Sequence, residues 1–213
     1  MTLLSPSAAR RFAIVAAVLA WAGLLIQLYC TITLSLANGK SLAHAIVLYF
    51  IFFTILTNIL VALALTLPLI ASRSSLGEFF SRPGVNTAIA VYIVVVGLIY
   101  NLVLRQLWNP QGWQLVADTL LHQVTPVLFL LYWWLAIPKE SLRWTDVLPW
   151  SRYPLGYCFY ALAHGAVTGF YPYPFLNAAD LGLTRVLINA LVILVGFLML
   201  AGVMIAAGRR QRA

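Results

Sequence analysis

Residues 12–36 read FAIVAAVLAWAGLLIQLYCTITLSL, a run of 25 positions without a single charge. A helix needs about 20 apolar residues to cross the hydrocarbon core of a bilayer, so this run is long enough to span one. Arg10 and Arg11 stand ahead of it, as basic residues do in a secretory leader. The run is about twice as long as a leader's apolar segment, however, and no small-residue cleavage site follows it, so it reads as a helix that stays in the membrane. The rest of the chain repeats the pattern. Apolar runs over 42–71, 84–104, 115–137, 155–171 and 183–207 are the other candidate spans, the fifth of the six being short. Composition agrees: 63% of the residues are hydrophobic and 8% charged, against about a quarter charged in soluble domains. With a mean hydropathy of +0.95, the expected fold is an all-α integral membrane protein. It would be a six-transmembrane-helix bundle forming one domain over 1–213.

Charge orients that bundle. Lys and Arg concentrate in cytoplasmic loops. With these spans, Arg10, Arg11, Arg73, Arg82, Lys139, Arg143, Arg152, Arg209, Arg210 and Arg212 fall on one face, and Lys40, Arg105 and Arg185 on the other. Ten against three predicts that both termini are cytoplasmic. The net charge of +8 follows from these loop residues and calls for no nucleic-acid partner, although it favours contact with anionic lipid. Trp133, Trp134, Trp144 and Trp150 are expected as anchors at the inner boundary, and Trp108 and Trp113 at the outer one. Cys30 and Cys158 fall near opposite faces and offer no disulfide framework.

The cytoplasmic connections 72–83 and 138–154 are each too short to fold alone, and no internal repeat suggests a transporter built from inverted halves. The motifs HExxH, GxSxG, CxxC and GxGxxG are absent from the chain, and neither a metal nor another cofactor is implied. Chemistry would have to come from single polar residues brought together by packing. Such residues are costly in hydrocarbon and mark cavities and pathways. Helix 2 offers Thr54, Thr57 and Asn58, and helix 3 offers Tyr100 and Asn101 with Arg105 one turn further on. Helix 4 offers Asp118, His122, Gln123 and Thr125, and helix 5 offers His164. Depths estimated from the span boundaries place them together in the outer half of the bundle.

Spacing sharpens the pattern. Thr54 and Asn58 are four apart and share a helix face, as do Asp118 and His122. A carboxylate one turn from a histidine can fix its tautomer and stabilise the imidazolium. Pro126 lies four residues beyond His122, so it should remove the hydrogen bond to the His122 carbonyl and bend the helix there. Each residue also has a plainer role. The threonine hydroxyls can bond a carbonyl one turn back, Asp118 in the first turn of a helix starting at 115 can meet the helix dipole, and His122, His164 and the boundary residue His44 can simply be packed and hydrogen-bonded. Pro172 and Pro174, alternating with Tyr171 and Tyr173, predict a stiff extended connector. It would serve either as an aromatic anchor or as a lid that carries Asn177 and Asp180.

Three motifs resemble a known family. FFTILTN at 52–58, LLHQVTP at 120–126 and YPYPFLN at 171–177, on a chain of this span pattern, resemble the androgen-induced membrane protein family and its bacterial six-pass relatives. In its animal members the family consists of intramembrane hydrolases of fatty acid esters of hydroxy fatty acids that use a threonine nucleophile and a histidine. The resemblance implies Thr54 as nucleophile and His122 as base, with a membrane lipid or lipid ester as substrate and the bacterial cytoplasmic membrane as location. Asn58 or Asn101 would then donate to the oxyanion, Arg105 would hold a free carboxylate, and Asp118 and His164 would support the site. Two other classes fit the same residues. One is a small-solute or lipid transporter, or a lipid-binding protein without chemistry, in which Asp118 is the proton or cation site. The other is a haem protein with His122 and His164 as axial ligands.

Overall fold

A computed structural model describes residues 2–210, and among them the regular structure is all helix, with no strand. Five helical stretches are long and apolar enough to cross a membrane: Pro6–Ala37, Phe53–Ile70, Pro83–Leu107, Gly112–Ala136 and Ala178–Arg210. The chain gathers into two compact units, residues 2–142 with 208–210, and residues 143–207.

The first unit is built around α1 (Pro6–Ala37), which packs against α2 (Leu42–Phe50), α3 (Phe53–Ile70), α6 (Gly112–Thr119) and α7 (Thr125–Ala136). Its buried stripe is made of small residues, Ala13, Ala16, Ala17, Ala20 and Gly23, which let backbones approach where apolar side chains gain nothing by leaving lipid. Gly23 shows how close that approach is. A Cβ there would lie 3.0 Å from the Leu120 Cβ and 3.2 Å from Leu121 Cδ2. Helix α5 (Pro83–Ile99) is the buried centre of the unit, with Thr87 to Ile93 all enclosed, and it packs on α3 and α7. Side-chain hydrogen bonds tie the helices together: Trp21 Nε1 donates to Thr66 Oγ1 at 3.1 Å, Trp133 Nε1 to Thr87 Oγ1 at 2.9 Å, and Gln114 Nε2 to Gln27 Oε1 at 2.7 Å.

The second span departs from expectation. The run 42–71 is not one helix but α2 and α3, broken at Ile51 and Phe52, where Phe52 is extended (φ −86°, ψ 130°). Neither Gly nor Pro marks the break. Packing imposes it: the Tyr49 hydroxyl donates to the Leu24 carbonyl at 2.9 Å, and Ile51 is wholly buried. Helix α3 therefore starts afresh one residue before Thr54. The connection 72–83 forms a short helix, α4 (Ser75–Ser81), capped by the Ser74 hydroxyl. Trp133 is 2% exposed and hydrogen-bonded inside the unit, so it is not the boundary anchor the sequence suggested. Trp108 and Trp113 are exposed, at 45% and 64%.

The second unit holds α8 (Val147–Thr168) and most of α9 (Ala178–Arg210), with a non-helical Gly182 (φ 72°) inside the latter. Helix α8 starts eight residues before the expected 155 and is not among the helices apolar enough to count as spans. Trp150, another expected boundary anchor, is buried in it. The YPYPFLN connector is folded down rather than loose. Tyr171 lies against Gly165, where any side chain would collide with its ring. Tyr173 stacks on Phe175 with centroids 5.2 Å apart, and Asn189 Nδ2 donates to the Phe175 carbonyl at 3.0 Å. Asn177 and Asp180 are spent on each other at 2.6 Å, while Asn177 Oδ1 also accepts the Ala179 N–H at the start of α9. Cys30 and Cys158 are both free.

Candidate functional site

Two π-helical segments define the polar site in the first unit. One, Tyr100–Leu104, continues α5, and the other, Leu120–Val124, joins α6 to α7 with His122 at its middle. Segments of this type are rare and concentrate at functional sites, because the wider turn re-aims side chains that a regular helix would stack in line. Glycines on both sides make room for the second one. Gly23 of α1 meets Leu120 and Leu121, and a Cβ on Gly97 of α5 would lie 3.3 Å from Pro126 Cβ and 3.5 Å from the His122 carbonyl oxygen.

The wider turn explains where the proline acts. The Thr125 N–H bonds back to the Leu120 carbonyl, five residues earlier. In that register the next carbonyl, that of Leu121, would look to residue 126, which is Pro126 and has no N–H. Asn58 of α3 supplies the donor instead. Its Nδ2 donates to the Leu121 carbonyl at 3.2 Å and to the Thr54 carbonyl at 2.8 Å. The carbonyl that meets an outside donor is thus that of Leu121, one residue before the expected His122. Because both neighbours are acceptors, the amide orientation is fixed and both of its N–H groups are used. Asn58 has none left for an oxyanion. What it does is bridge the turn that carries Thr54 to the turn that carries His122.

Around His122 the geometry is specific. Its Nδ1 lies 3.0 Å from the Asp118 carbonyl oxygen and 3.2 Å from Asp118 Oδ1. Two acceptors on one side put the proton on Nδ1 and leave Nε2 as the basic nitrogen. The Tyr100 hydroxyl donates to Asp118 Oδ2 at 2.5 Å, a short charge-assisted bond. The Tyr100 ring also stacks on the imidazole, with centroids 3.8 Å apart and planes 15° from parallel. Asp118 is 3% exposed, and the His122 side chain 15%. Helix α6 starts at Gly112, so Asp118 lies in its second turn and not the first, which removes the helix-dipole explanation for the carboxylate.

The expected residues thus separate. Asp118 and His122 come together with Tyr100, which the sequence offered only as one more polar group. Finding it needed the helix order around the bundle. Asn58 joins them through backbone carbonyls, and Thr54, 8% exposed, sits on the buried face one turn away from it. Asn101 and Arg105 lie on the exposed side: Asn101 Nδ2 donates to the Gly97 carbonyl at 2.8 Å, and Arg105 donates to Asn101 Oδ1 at 3.4 Å. His164 belongs to the second unit. Its Nδ1 faces the Phe170 carbonyl at 3.1 Å and the Thr168 hydroxyl at 3.2 Å, closing the end of α8. Among the described residues no cluster of three or more His, Cys, Asp or Glu side chains is arranged to hold a metal ion.

No known protein family matches the chain, and neither curated proteins nor solved structures give a match. The functional reading therefore rests on the residues themselves.

Buried acceptors complete the picture. Asn58 Oδ1 and Thr125 Oγ1 are enclosed without a hydrogen-bond partner, and Asp118 Oδ1 has only the His122 contact. A buried oxygen without a donor costs about 1–3 kcal/mol. The site thus holds acceptor capacity that the protein does not itself use.

Proposed function

We propose that the protein is an intramembrane lipid-ester hydrolase in which Thr54 is the nucleophile and His122 the general base, as in the androgen-induced membrane protein family that its motifs resemble. The observation that carries this reading is the engagement of His122 Nδ1 by Asp118. It leaves Nε2 ready to take a proton, and a carboxylate 3.2 Å away steadies the positive charge that results. Tyr100 fixes both partners, bonding the carboxylate and stacking on the ring. The Asn58 bridge between the Thr54 and Leu121 carbonyls supports the pairing of Thr54 with His122.

The chemistry runs in two halves. A threonine hydroxyl is a weak nucleophile until a base removes its proton. His122 Nε2 takes that proton as Thr54 Oγ1 attacks the ester carbonyl. The tetrahedral intermediate then collapses to an acyl-threonine, and Nε2 returns the proton to the departing alcohol. Water attacks next, giving its proton to Nε2. The carboxylic acid leaves and Thr54 regains its proton. The finer topology belongs to the same proposal: six passes with α8 as the fifth, both termini cytoplasmic, in a bacterial inner membrane, with α2 and α3 sharing the second pass. Hydrolysis of activated fatty acid esters by purified protein tests the reading. Thr54→Ala should lose it, and a variant that hydrolyses as fast as the parent rules Thr54 out.

The unpartnered buried oxygens Asn58 Oδ1 and Thr125 Oγ1 favour one second reading, a proton- or cation-coupled transporter. In that case Asp118→Asn abolishes uptake into proteoliposomes, and ester hydrolysis stays at background for parent and variant alike.

A further inference from the structure

The segment leading into α1 and the first three turns of the helix form one wall of an open cleft of about 420 Å³. Leu4, Ala8, Arg11, Phe12 and Ala16 line it from that side, and Leu128 of α7 from the other. Its size falls in the range of small-ligand sites. The local structure explains the hollow. The N–H groups of Leu3 and Leu4 bond to the Leu135 carbonyl at 2.8 and 3.2 Å, folding the entry segment onto the end of α7. Phe12 is held by the Tyr132 ring at 6.1 Å, while Ala8 and Ala16 lack the bulk to fill the space on either side of it. Val15, which also lines the cleft, is exposed, so its open side is apolar as well.

Arg11 is the exception among these walls. It is exposed, and no carboxylate pairs with it among the described residues. It directly precedes the charge-free run 12–36, where a spanning helix passes from the head-group region into the hydrocarbon. A zwitterionic lipid would offer the guanidinium a phosphate whose charge its own ammonium already balances, leaving the net positive charge of Arg11 uncompensated. A small soluble anion would leave the apolar walls unused. We propose that the cleft seats one acyl chain of an anionic phospholipid from the surrounding bilayer, with the phosphate held by Arg11. A guanidinium fork matches phosphate oxygens in a bidentate fashion, as a lysine does not. The site rests on the membrane reading of the chain and is independent of the hydrolase reading.

The test uses the full chain in nanodiscs with equal amounts of phosphatidylglycerol and phosphatidylcholine of the same chain length. Native mass spectrometry then reads which lipids remain bound after release into detergent. The parent should retain phosphatidylglycerol in preference, and Arg11→Gln should lower that preference about fivefold, the factor corresponding to about 1 kcal/mol per basic side chain at an anionic surface. Ala8→Trp, which fills the cleft, should lose the retained lipid of both kinds, and Arg73→Gln should behave as the parent. Equal retention of the two lipids by the parent overturns the proposal. So does an Arg11→Gln preference equal to the parent's. Arg11 is exposed, so its variant keeps the question answerable even if Ala8→Trp does not fold.

Discussion

His122 and His164 carry the same side chain, and both turn Nδ1 toward a backbone carbonyl. Their surroundings differ. His164 is bonded to Phe170 and Thr168 at the end of α8, a closed arrangement that completes a helix terminus and a turn. His122 lies in a π-helical segment beside a buried carboxylate and under a tyrosine ring. The first arrangement satisfies a local chain end. The second orients an imidazole against a carboxylate. A polar residue in an apolar helix is thus informative only through its partners, and these come from other helices.

The largest expected effect separates the two histidines directly. His122→Ala should lower kcat/KM for an activated fatty acid ester by about 10²- to 10⁴-fold, the usual contribution of a general base. His164→Ala, assayed beside it, should stay within about twofold while lowering thermal stability by about 1 kcal/mol, the net worth of a hydrogen bond. Comparable losses of rate from both would erase the distinction.

Asp118→Asn sharpens the contrast on the His122 side. The Asp118 backbone carbonyl still accepts from Nδ1, so orientation is partly kept while the charge is lost. Activity should fall about 10- to 100-fold, as when a group that orients a functional histidine is removed. Full activity in the variant would mean that the carboxylate does not act on the ring.

Asn58→Leu addresses stability. It leaves the Leu121 carbonyl buried without the donor that stands in for Pro126, at a cost of about 1–3 kcal/mol. Thermal unfolding in detergent measures this, and a loss below the range would show that the bridge is dispensable. The smallest effect concerns Lys139, which lies beyond the end of α7 and outside the membrane-spanning stretches. Its Nζ donates to the Trp134 and Ile137 carbonyls at 2.9 and 2.8 Å and sits 4.8 Å from the Trp133 ring. Burial pushes its pKa down from 10.5 to about 8, against the opposing pull of Glu140. The unfolded chain then binds more protons between about pH 8 and 10.5, so stability should rise with pH across that window. Thermal scans of parent and Lys139→Met check this, and the variant should lose the slope.

Much of this was legible in the sequence, and the limits have physical causes. The charge-free run of α1 and the apolar run of α5 appear as expected, because crossing a bilayer constrains each position separately. The break at Ile51 and Phe52 did not show, since it is set by the Tyr49 bond to α1 and the burial of Ile51. Pro126 did signal an irregular helix. That the Leu121 carbonyl, one residue before His122, takes a donor from Asn58 did not show, because the register is that of a π-helix and only the neighbouring helix reveals it. The Asp118–His122 pair followed from spacing alone. Tyr100, the third member, sits 18 residues away on another helix and could be named as polar but not as a partner.

The central claim is an activated Thr54, and the most direct measurement locates a covalent label. Detergent-purified protein treated with a fluorophosphonate probe would be digested and mapped by mass spectrometry, for the parent and for Thr54→Ala, Thr57→Ala and His122→Ala. The account predicts a label on Thr54 in the parent and in Thr57→Ala, and none in the other two. A label elsewhere, equal labelling of all four, or none on folded parent protein would contradict it.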